Sequence, residues 1–435
     1  MVFDNTAEYP AVIMTNNIDE ETHIKNICKI CYSKDVCGVR KKKWDGCDFL
    51  PKIKISVNPT GDVYTMEKVG TLPSILMDLI TKRVDIQAKM QQAELDGNEY
   101  LCRVYFDMQR TFKFFMNAFF GIFGSRTHRP FRLRSKRLAA NITRGAREHL
   151  KWNKNFIENY KLLYKQHHLR FDVIYMDTDS CLTIIIDYDK YNFDLEDLKT
   201  IANILLKDLN ASFDEFAKEV FWVDKHYFKI KLEGCFLKYF QWGKKKHYVY
   251  LDENGILKFK GVKIRRSDAS KLQKSVLKAF FILLMEQEVS IKEIGKFFRK
   301  VEHNIRSGIL DNGVIKPVGV HIDTNNYVPA IKYSNKYLGY NFVIDNCKPF
   351  FVPVKRMKPG YPKPPKIAGV RQIAIGWRDD PKKFVQSFDY DWVIKNGMDT
   401  KSFNNVLRGL PELRGKHPYD KLKTMAVKVS IDQFF

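Results

Sequence analysis

The chain has 435 residues, of which 45% are hydrophobic, with 74 Lys and Arg against 50 Asp and Glu. This apolar content excludes a disordered chain, and the excess of +24 charges favours a polyanionic partner, above all DNA or RNA. We expect no signal peptide and no transmembrane segment, since no basic flank precedes an apolar run at the start and the stretch Ala279–Met285 is too short to cross a bilayer.

Two helices are predicted early in the chain. Apolar residues recur at three- and four-residue spacing from Leu72 to Ala93, which is typical of an amphipathic helix. A second helical block runs from Leu101 to Phe123, and the polar break at 95–98 predicts a turn between them. The two segments are therefore expected to form an antiparallel hairpin. The basic segment from Arg126 to Lys154 predicts a further helix.

Strands are predicted in the middle of the chain. Residues 171–186 alternate as two short strands around a polar turn, and Lys229–Gly261 predicts more strands with a hairpin turn at Glu253–Gly255. Residues 268–310 are predicted to be helical and the remainder mixed. The predicted fold class is α+β with an antiparallel sheet.

The turn between the strands of 171–186 carries two acids, Asp177 and Asp179. Acids two residues apart in an extended chain point the same way. Their mutual repulsion is commonly relieved by a divalent cation. A solvated hairpin turn is the alternative interpretation of such a pair taken alone.

Two other segments favour the cation interpretation. Residues 3–13 place a strand-end acid, Asp4, before a predicted Tyr-Pro turn, and residues 109–121 place Gln109, Lys113 and Asn117 on one helical face. Together with residues 173–180, these segments resemble motifs A, B and C of family B DNA polymerases. The motifs follow one another in the order A, B, C, as they do in that family.

The resemblance implies a two-metal site for phosphoryl transfer. Asp4 and Asp179 would bind two Mg²⁺ ions, and the backbone carbonyl of Asn5 would help to hold the metal on the nucleotide side. Asp177 would be an accessory carboxylate near the primer end. The substrates implied are primer–template DNA and deoxynucleoside triphosphates.

The resemblance also implies how the nucleotide is bound. Tyr9 would be the steric gate against ribose, Lys113 and Asn117 would face the incoming triphosphate, and Arg83 would contact the γ-phosphate. Three positions depart from the family pattern, namely Glu8 in motif A, Gln87 after Arg83 and Phe120 in motif B. Lys82 or Lys89 could compensate for Gln87.

Two further segments suggest contacts with partners. Residues 243–248 resemble the K-K-R-Y motif of the family, and the implied DNA contacts are Lys245, Lys246, Tyr248, Lys260 and Arg265. The chain ends in a peptide that resembles clamp-binding tails, with Ile431, Phe434 and Phe435 as the expected contacts to a sliding clamp. Burial of these aromatic residues in the C-terminal domain is the alternative.

The predicted domains are a palm with a Cys-rich insertion at 1–69, fingers at 70–125, palm again at 126–268 and a mostly helical thumb at 269–435. In the insertion, Cys28, Cys31, Cys37 and Cys47 could bind one Zn²⁺, with His23 as a substitute ligand, or could be free thiols in a basic loop.

The overall resemblance is to polymerases of T-even-like phages, which implies a location in the cytoplasm of a bacterial host. Because motif A begins at residue 4, we expect a separate polypeptide to supply the N-terminal and exonuclease domains of a split polymerase. The alternative function is a catalytically dead, polymerase-like scaffold of a replisome.

Overall fold

The computed structural model describes residues 1–24, 54–124, 135–191, 193–236, 238–242, 246–261, 264, 269–286, 290–309, 316–317, 326–344, 347–377, 379–398, 400–408 and 419. The chain divides into two compact units, Met1–Cys235 and Phe236–Phe435. Both contain helices and antiparallel sheets, which agrees with the predicted α+β class. In the ranges given above, no helix is long and apolar enough to cross a membrane.

The elements of the first unit are, in chain order, β1 (Val2–Asn5), α1 (Glu8–Thr15), β2 (Ile55–Val57), β3 (Val63–Thr65), α2 (Thr71–Leu95), α3 (Glu99–Gly124), α4 (Lys136–Asn159), β4 (Lys161–Tyr164), β5 (His167–Asp177), β6 (Ser180–Ile185), α5 (Leu195–Ala211) and β7 (Ile230–Gly234). A helical turn, Phe213–Phe216, continues into a π-helical turn, Ala217–Phe221. Strands β2 and β3 form a separate two-stranded sheet.

The main sheet of the first unit has five antiparallel strands in the order β4-β5-β6-β1-β7. Alternate residues of β5, Leu169, Phe171 and Val173, are buried, as the two-residue period of a strand requires. Strand β1 lies between β6 and β7, and its residue Phe3 is fully buried. The sheet therefore holds the end of β1 from both sides.

The predicted helical hairpin is confirmed by α2 and α3, which pack against each other and are joined at 96–98, where Gly97 adopts a φ of 66°. The prediction of a turn at Tyr9-Pro10 was wrong, because both residues lie in the first turn of α1. Proline is tolerated there, since the amide hydrogens of the first turn have no partner within the helix.

The elements of the second unit are, in chain order, β8 (Lys238–Gln241), β9 (Tyr248–Leu251), β10 (Leu257–Lys260), α6 (Lys271–Glu286), α7 (Ile291–Arg306), β11 (Lys316–Pro317), α8 (Val328–Tyr337), β12 (Phe350–Met357), β13 (Lys366–Ile367), β14 (Val370–Ile375), β15 (Val385–Phe388) and α9 (Thr400–Leu407). A short helical turn, Tyr390–Trp392, continues into a π-helical turn, Val393–Gly397, between β15 and α9. Strands β8, β9 and β10 form a three-stranded sheet, and β11 to β15 form a five-stranded sheet centred on β12 and β14.

The helices predicted within 268–310 are confirmed by α6 and α7. The expectation of a mostly helical segment at 269–435 did not include the five-stranded sheet. Its central strand β12 contains Pro353, and proline in a sequence argues against a central strand.

Candidate active site

Antiparallel pairing of β1 with β6 brings two of the predicted acids to the same end of the sheet. Asp4 lies opposite Ser180 in register, and the amide of Asn5 donates a hydrogen bond of 2.7 Å to the carbonyl of Asp179. The β5–β6 turn is tight, because Thr178 has a φ of 58° and the amide of Asp179 donates to the Asp177 carbonyl at 2.6 Å. The turn therefore presents Asp179 beside the end of β1.

Four of these residues, Asp4, Asn5, Thr178 and Asp179, line a cavity of about 260 Å³ in the first unit. The lining residues are Asp4, Asn5, Thr6, Ala7, Glu8, Tyr9, Arg83, Lys113, Asn117, Phe120, Thr178, Asp179 and Lys231. Every residue predicted to bind Mg²⁺ or the nucleotide is thus found on the wall of one cavity. Asp177 does not line it; this residue ends β5 and accepts a hydrogen bond of 3.1 Å from the hydroxyl of Thr178.

The carboxylates of the cavity repel one another. Burial, followed by the nearby charges of Asp4 and Glu8, raises the pKa of Asp179 to about 6, and the ammonium of Lys113 acts in the opposite direction. Lys231, a cation that the sequence did not single out, has its Nζ 3.9 Å from Oδ2 of Asp4. The pairing of Asp4 with Lys231 across β1 and β7 explains this contact, but the register is not visible in the sequence.

The donor set fits a hard divalent cation. Asp4 and Asp179 offer carboxylate oxygens, which Mg²⁺ prefers, and a bound cation would offset the burial and the nearby negative charges that raise the pKa of Asp179. Within the described part of the chain, no group of three or more His, Cys, Asp or Glu side chains is arranged to hold a metal. The carbonyl of Asn5, water and substrate phosphates would complete the set.

The first turn of α1 forms a second part of the wall. The ring of Tyr9 stacks on that of Phe120 from α3, with centroids 4.1 Å apart and an interplanar angle of 27°. Glu8 is buried, and both of its carboxylate oxygens lie 3.0 Å from Nδ1 of His149 on α4. The unexpected charge of Glu8 is thus paired, with a residue that the sequence did not indicate.

The hairpin helices supply the cationic wall. Lys113 and Asn117 lie on one face of α3, as their spacing predicted, and both are exposed. Arg83 of α2 is half-buried, and its Nε and Nη2 each lie 3.4 Å from Oε1 of Gln109. Burial lowers the pKa of Arg83.

The two lysines that could compensate for Gln87 are exposed and do not line the cavity. They form ion pairs within α2, Lys82 with Asp78 at 2.7 Å and Lys89 with Asp85 at 2.8 Å.

Three of the predicted DNA contacts lie together in the second unit. Tyr248 of β9 is paired with Lys260 of β10, and both lie on the face opposite the buried Val249 and Phe259. Lys246 precedes β9 with a φ of 66°, and a Cβ atom at Gly261 would lie only 1.8 Å from its carbonyl oxygen. Glycine is therefore required at position 261 for this close approach.

Several predicted residues lie outside the described ranges. They are the DNA contacts Lys245 and Arg265, the four cysteines Cys28, Cys31, Cys37 and Cys47, and the clamp contacts Ile431, Phe434 and Phe435. His23, the substitute zinc ligand, is described; it is buried, with its Nε2 3.8 Å from Oδ1 of Asp62.

The sequence profile of DNA polymerase family B matches residues 1–337. This chain belongs to DNA polymerase family B. It is 26% identical over 266 residues to a DNA polymerase of Thermococcus sp. (strain 9oN-7), a match that covers 61% of this chain and 27% of that protein. A DNA polymerase of Paramecium bursaria Chlorella virus NY2A is 24% identical over 318 residues, covering 69% of this chain and 30% of the relative.

The fold is also similar to that of a solved family B polymerase. The structure of the enzyme from the archaeon Pyrobaculum calidifontis matches with a TM-score of 0.58 at 18% identity, covering 95% of this chain and 45% of that one. This family B chain thus spans less than a third of the length of the two curated relatives named above and less than half of the solved structure.

Proposed function

We propose that this family B chain is a DNA-directed DNA polymerase, which adds deoxynucleotides to the 3′-hydroxyl of a primer. The observation that supports the proposal is the single cavity that combines Asp4 and Asp179 with Lys113, Arg83 and Tyr9. Phosphoryl transfer depends mainly on positioning and charge neutralisation, and this cavity offers acids for cations and cations for phosphates.

In this proposal, Asp4, Asp179 and the carbonyl of Asn5 would hold Mg²⁺. When bound, the metal would activate the primer hydroxyl and neutralise charge on the phosphates. Lys113 and Arg83 would bind the triphosphate from the hairpin side of the cavity, and the ring of Tyr9 would exclude a ribose 2′-hydroxyl. The hairpin 70–125 would be the fingers, and the sheet that carries the acids would belong to the palm.

Primer extension with Mg²⁺ and labelled deoxynucleotides tests the activity. We expect Asp179→Asn to lower incorporation by about a thousandfold, because it removes one charged metal ligand. Asp177→Asn, at the neighbouring acid that does not line the cavity, is the matched comparison and should cause a smaller loss. Equal extension by wild type and Asp179→Asn would overturn the role assigned to Asp179, and no extension by the wild type would favour the replisome scaffold.

We further propose that Lys246, Tyr248 and Lys260 contact duplex DNA, since they lie on or beside one three-stranded sheet. Removing Lys246 or Lys260 should reduce the slope of log K against log salt by about 0.9 for each lost phosphate contact. Lys258→Ala is the control, because this lysine of the same strand is paired with Asp252 at 3.3 Å. An unchanged slope in both test variants would remove these residues from the DNA-binding surface.

The T-even-like split form, the exonuclease-bearing partner polypeptide, the sliding clamp and the zinc site stay predictions of the sequence.

A further inference from the structure

Helix α4 contacts the β1–α1 corner through three residues spaced four apart, Gly145, His149 and Asn153, which we call the α4 row. Residues at this spacing lie on one face of a helix. At one end, a Cβ atom on Gly145 would lie 2.7 Å from Cγ1 of Val12, so the two helices approach closely. At the other end, Asn153 Nδ2 donates a hydrogen bond of 3.2 Å to Oδ1 of Asn5.

His149, in the centre of the α4 row, meets the carboxylate of Glu8. Both carboxylate oxygens lie 3.0 Å from Nδ1, and the relative exposures are 4% for Glu8 and 0% for His149. With Glu8 ionised, Nδ1 is the donor in this contact, because a carboxylate can only accept. A buried carboxylate is tolerated only when it is paired in this way.

Three aromatic rings hold the imidazole in place. The centroids of Phe213, Phe216 and Phe228 lie 4.6, 5.0 and 4.4 Å from that of His149. Among the described residues, Nε2 of His149 has no hydrogen-bond partner. The ring is therefore oriented by packing on one side and by Glu8 on the other.

The contact between Glu8 and His149 lies directly beside the cavity. Tyr9 follows Glu8 in the first turn of α1, whose N-cap residue, Ala7, has a φ of 50° and provides no side-chain hydrogen bond. Without its partner, the carboxylate of Glu8 would be driven out of the aromatic interior towards the cavity that it lines. Such a movement would displace the ring of Tyr9 from its stack on Phe120.

We propose that His149 is a positioning residue for sugar selection: by holding Glu8, it fixes Tyr9 at the cavity wall and so sets the discrimination between deoxy- and ribonucleotides. This inference rests on the proposed polymerase function and on Tyr9 as the gate. Glu8, one of the positions that depart from the family pattern, is thus held inside the protein by a buried histidine.

The test measures kcat/KM for a deoxynucleotide and for its ribonucleotide in single-nucleotide primer extension by the full chain. His149→Leu should lower the ratio of the two values about tenfold, because a charge-assisted hydrogen bond is lost and a carboxylate is left unpaired. His149→Asn should keep the wild-type ratio, since its amide nitrogen can donate from the position of Nδ1.

The double variant Glu8→Leu/His149→Leu gives the sharpest result. It should recover most of the selectivity lost in His149→Leu, because two apolar side chains replace the pair and no buried charge remains. A double variant as unselective as His149→Leu would overturn the proposal, and so would wild-type selectivity in folded His149→Leu. If His149→Leu does not fold, His149→Phe takes its place, because its ring fills the same space but donates no hydrogen bond, and wild-type selectivity in that variant would overturn the proposal.

Two control variants distinguish an error in the role of His149 from an error in the role of Tyr9. His23→Leu removes another buried histidine–carboxylate contact, 3.8 Å from Asp62, which does not line the cavity, and should leave the ratio unchanged. Tyr9→Ala should lose selectivity, and a wild-type ratio in that variant would overturn the gate assignment on which the inference rests. A wild-type chain that extends no primer overturns the proposed function itself, whereas extension with equal selectivity in all His149 and Glu8 variants overturns only the positioning role.

Discussion

The two walls of the cavity are built in different ways. The acidic wall at β1, the β5–β6 turn and α1 is held by sheet pairing and by the α4 row, so that Asn5 and Glu8 are almost completely buried. The cationic wall on the α2–α3 hairpin presents Lys113 and Asn117 on exposed helical surface. A site that binds metal needs ligands in fixed positions, whereas phosphates can be met by flexible lysines.

This difference predicts that substitutions on the two walls change different properties of the protein. Changes at the buried residues of the acidic wall, Asn5 and Glu8, should alter stability and geometry together, because both side chains are packed against α4. Changes on the cationic wall should alter nucleotide binding and leave the free energy of unfolding unchanged.

Among the further substitutions that test this comparison, the largest effect is expected for Lys113→Ala. Loss of a charge-assisted contact to the triphosphate should raise KM for the deoxynucleotide by about ten- to a hundredfold, with little change in melting temperature. Arg110→Ala on the same helix is the control, because Arg110 lies over the ring of Phe106 at 5.5 Å and does not line the cavity. Steady-state kinetics and thermal unfolding check both variants, and a strongly lowered melting temperature in Lys113→Ala would contradict the comparison.

The next effect concerns the packing of α1 on α4. Gly145→Ala should lower the free energy of unfolding by about 1–3 kcal/mol, because the new methyl group would overlap Val12. Gly121→Ala in α3 is the matched control, since its Cβ would meet nothing within 4 Å and the change should be neutral or stabilising. Denaturant unfolding measures both, and equal stability of the two variants would mean that α1 can shift away from α4.

The smallest effect is expected for Lys82→Ala and Lys89→Ala. Each lysine is paired with an exposed acid within α2, so stability should change by less than about 0.5 kcal/mol and KM should stay at the wild-type value. A rise in KM comparable to that of Lys113→Ala would mean that one of these lysines leaves its partner to compensate for Gln87.

Local patterns in the sequence predicted much of this architecture. The helices α2 and α3, their turn at 96–98, the strands around Asp177 and Asp179, and the helices α6 and α7 all follow from periodicity and turn chemistry. These elements depend on residues near one another in the chain, which is why the periodicity of the sequence predicts them. The three motif segments also indicated Asp4, Asn5, Tyr9, Lys113, Asn117 and Asp179, which the cavity brings together with Arg83 from a separate helix.

The tertiary structure alone decided which groups meet across long separations. The contacts of Glu8 with His149 and of Asp4 with Lys231, and the five-stranded sheet of the second unit, depend on strand register and helix packing. Such pairings are chosen by burial of the whole domain, and no local pattern encodes them. The sequence by itself therefore determined the family and the candidate chemistry of this protein, while only the fold decided that the charge of Glu8 is held by a buried histidine.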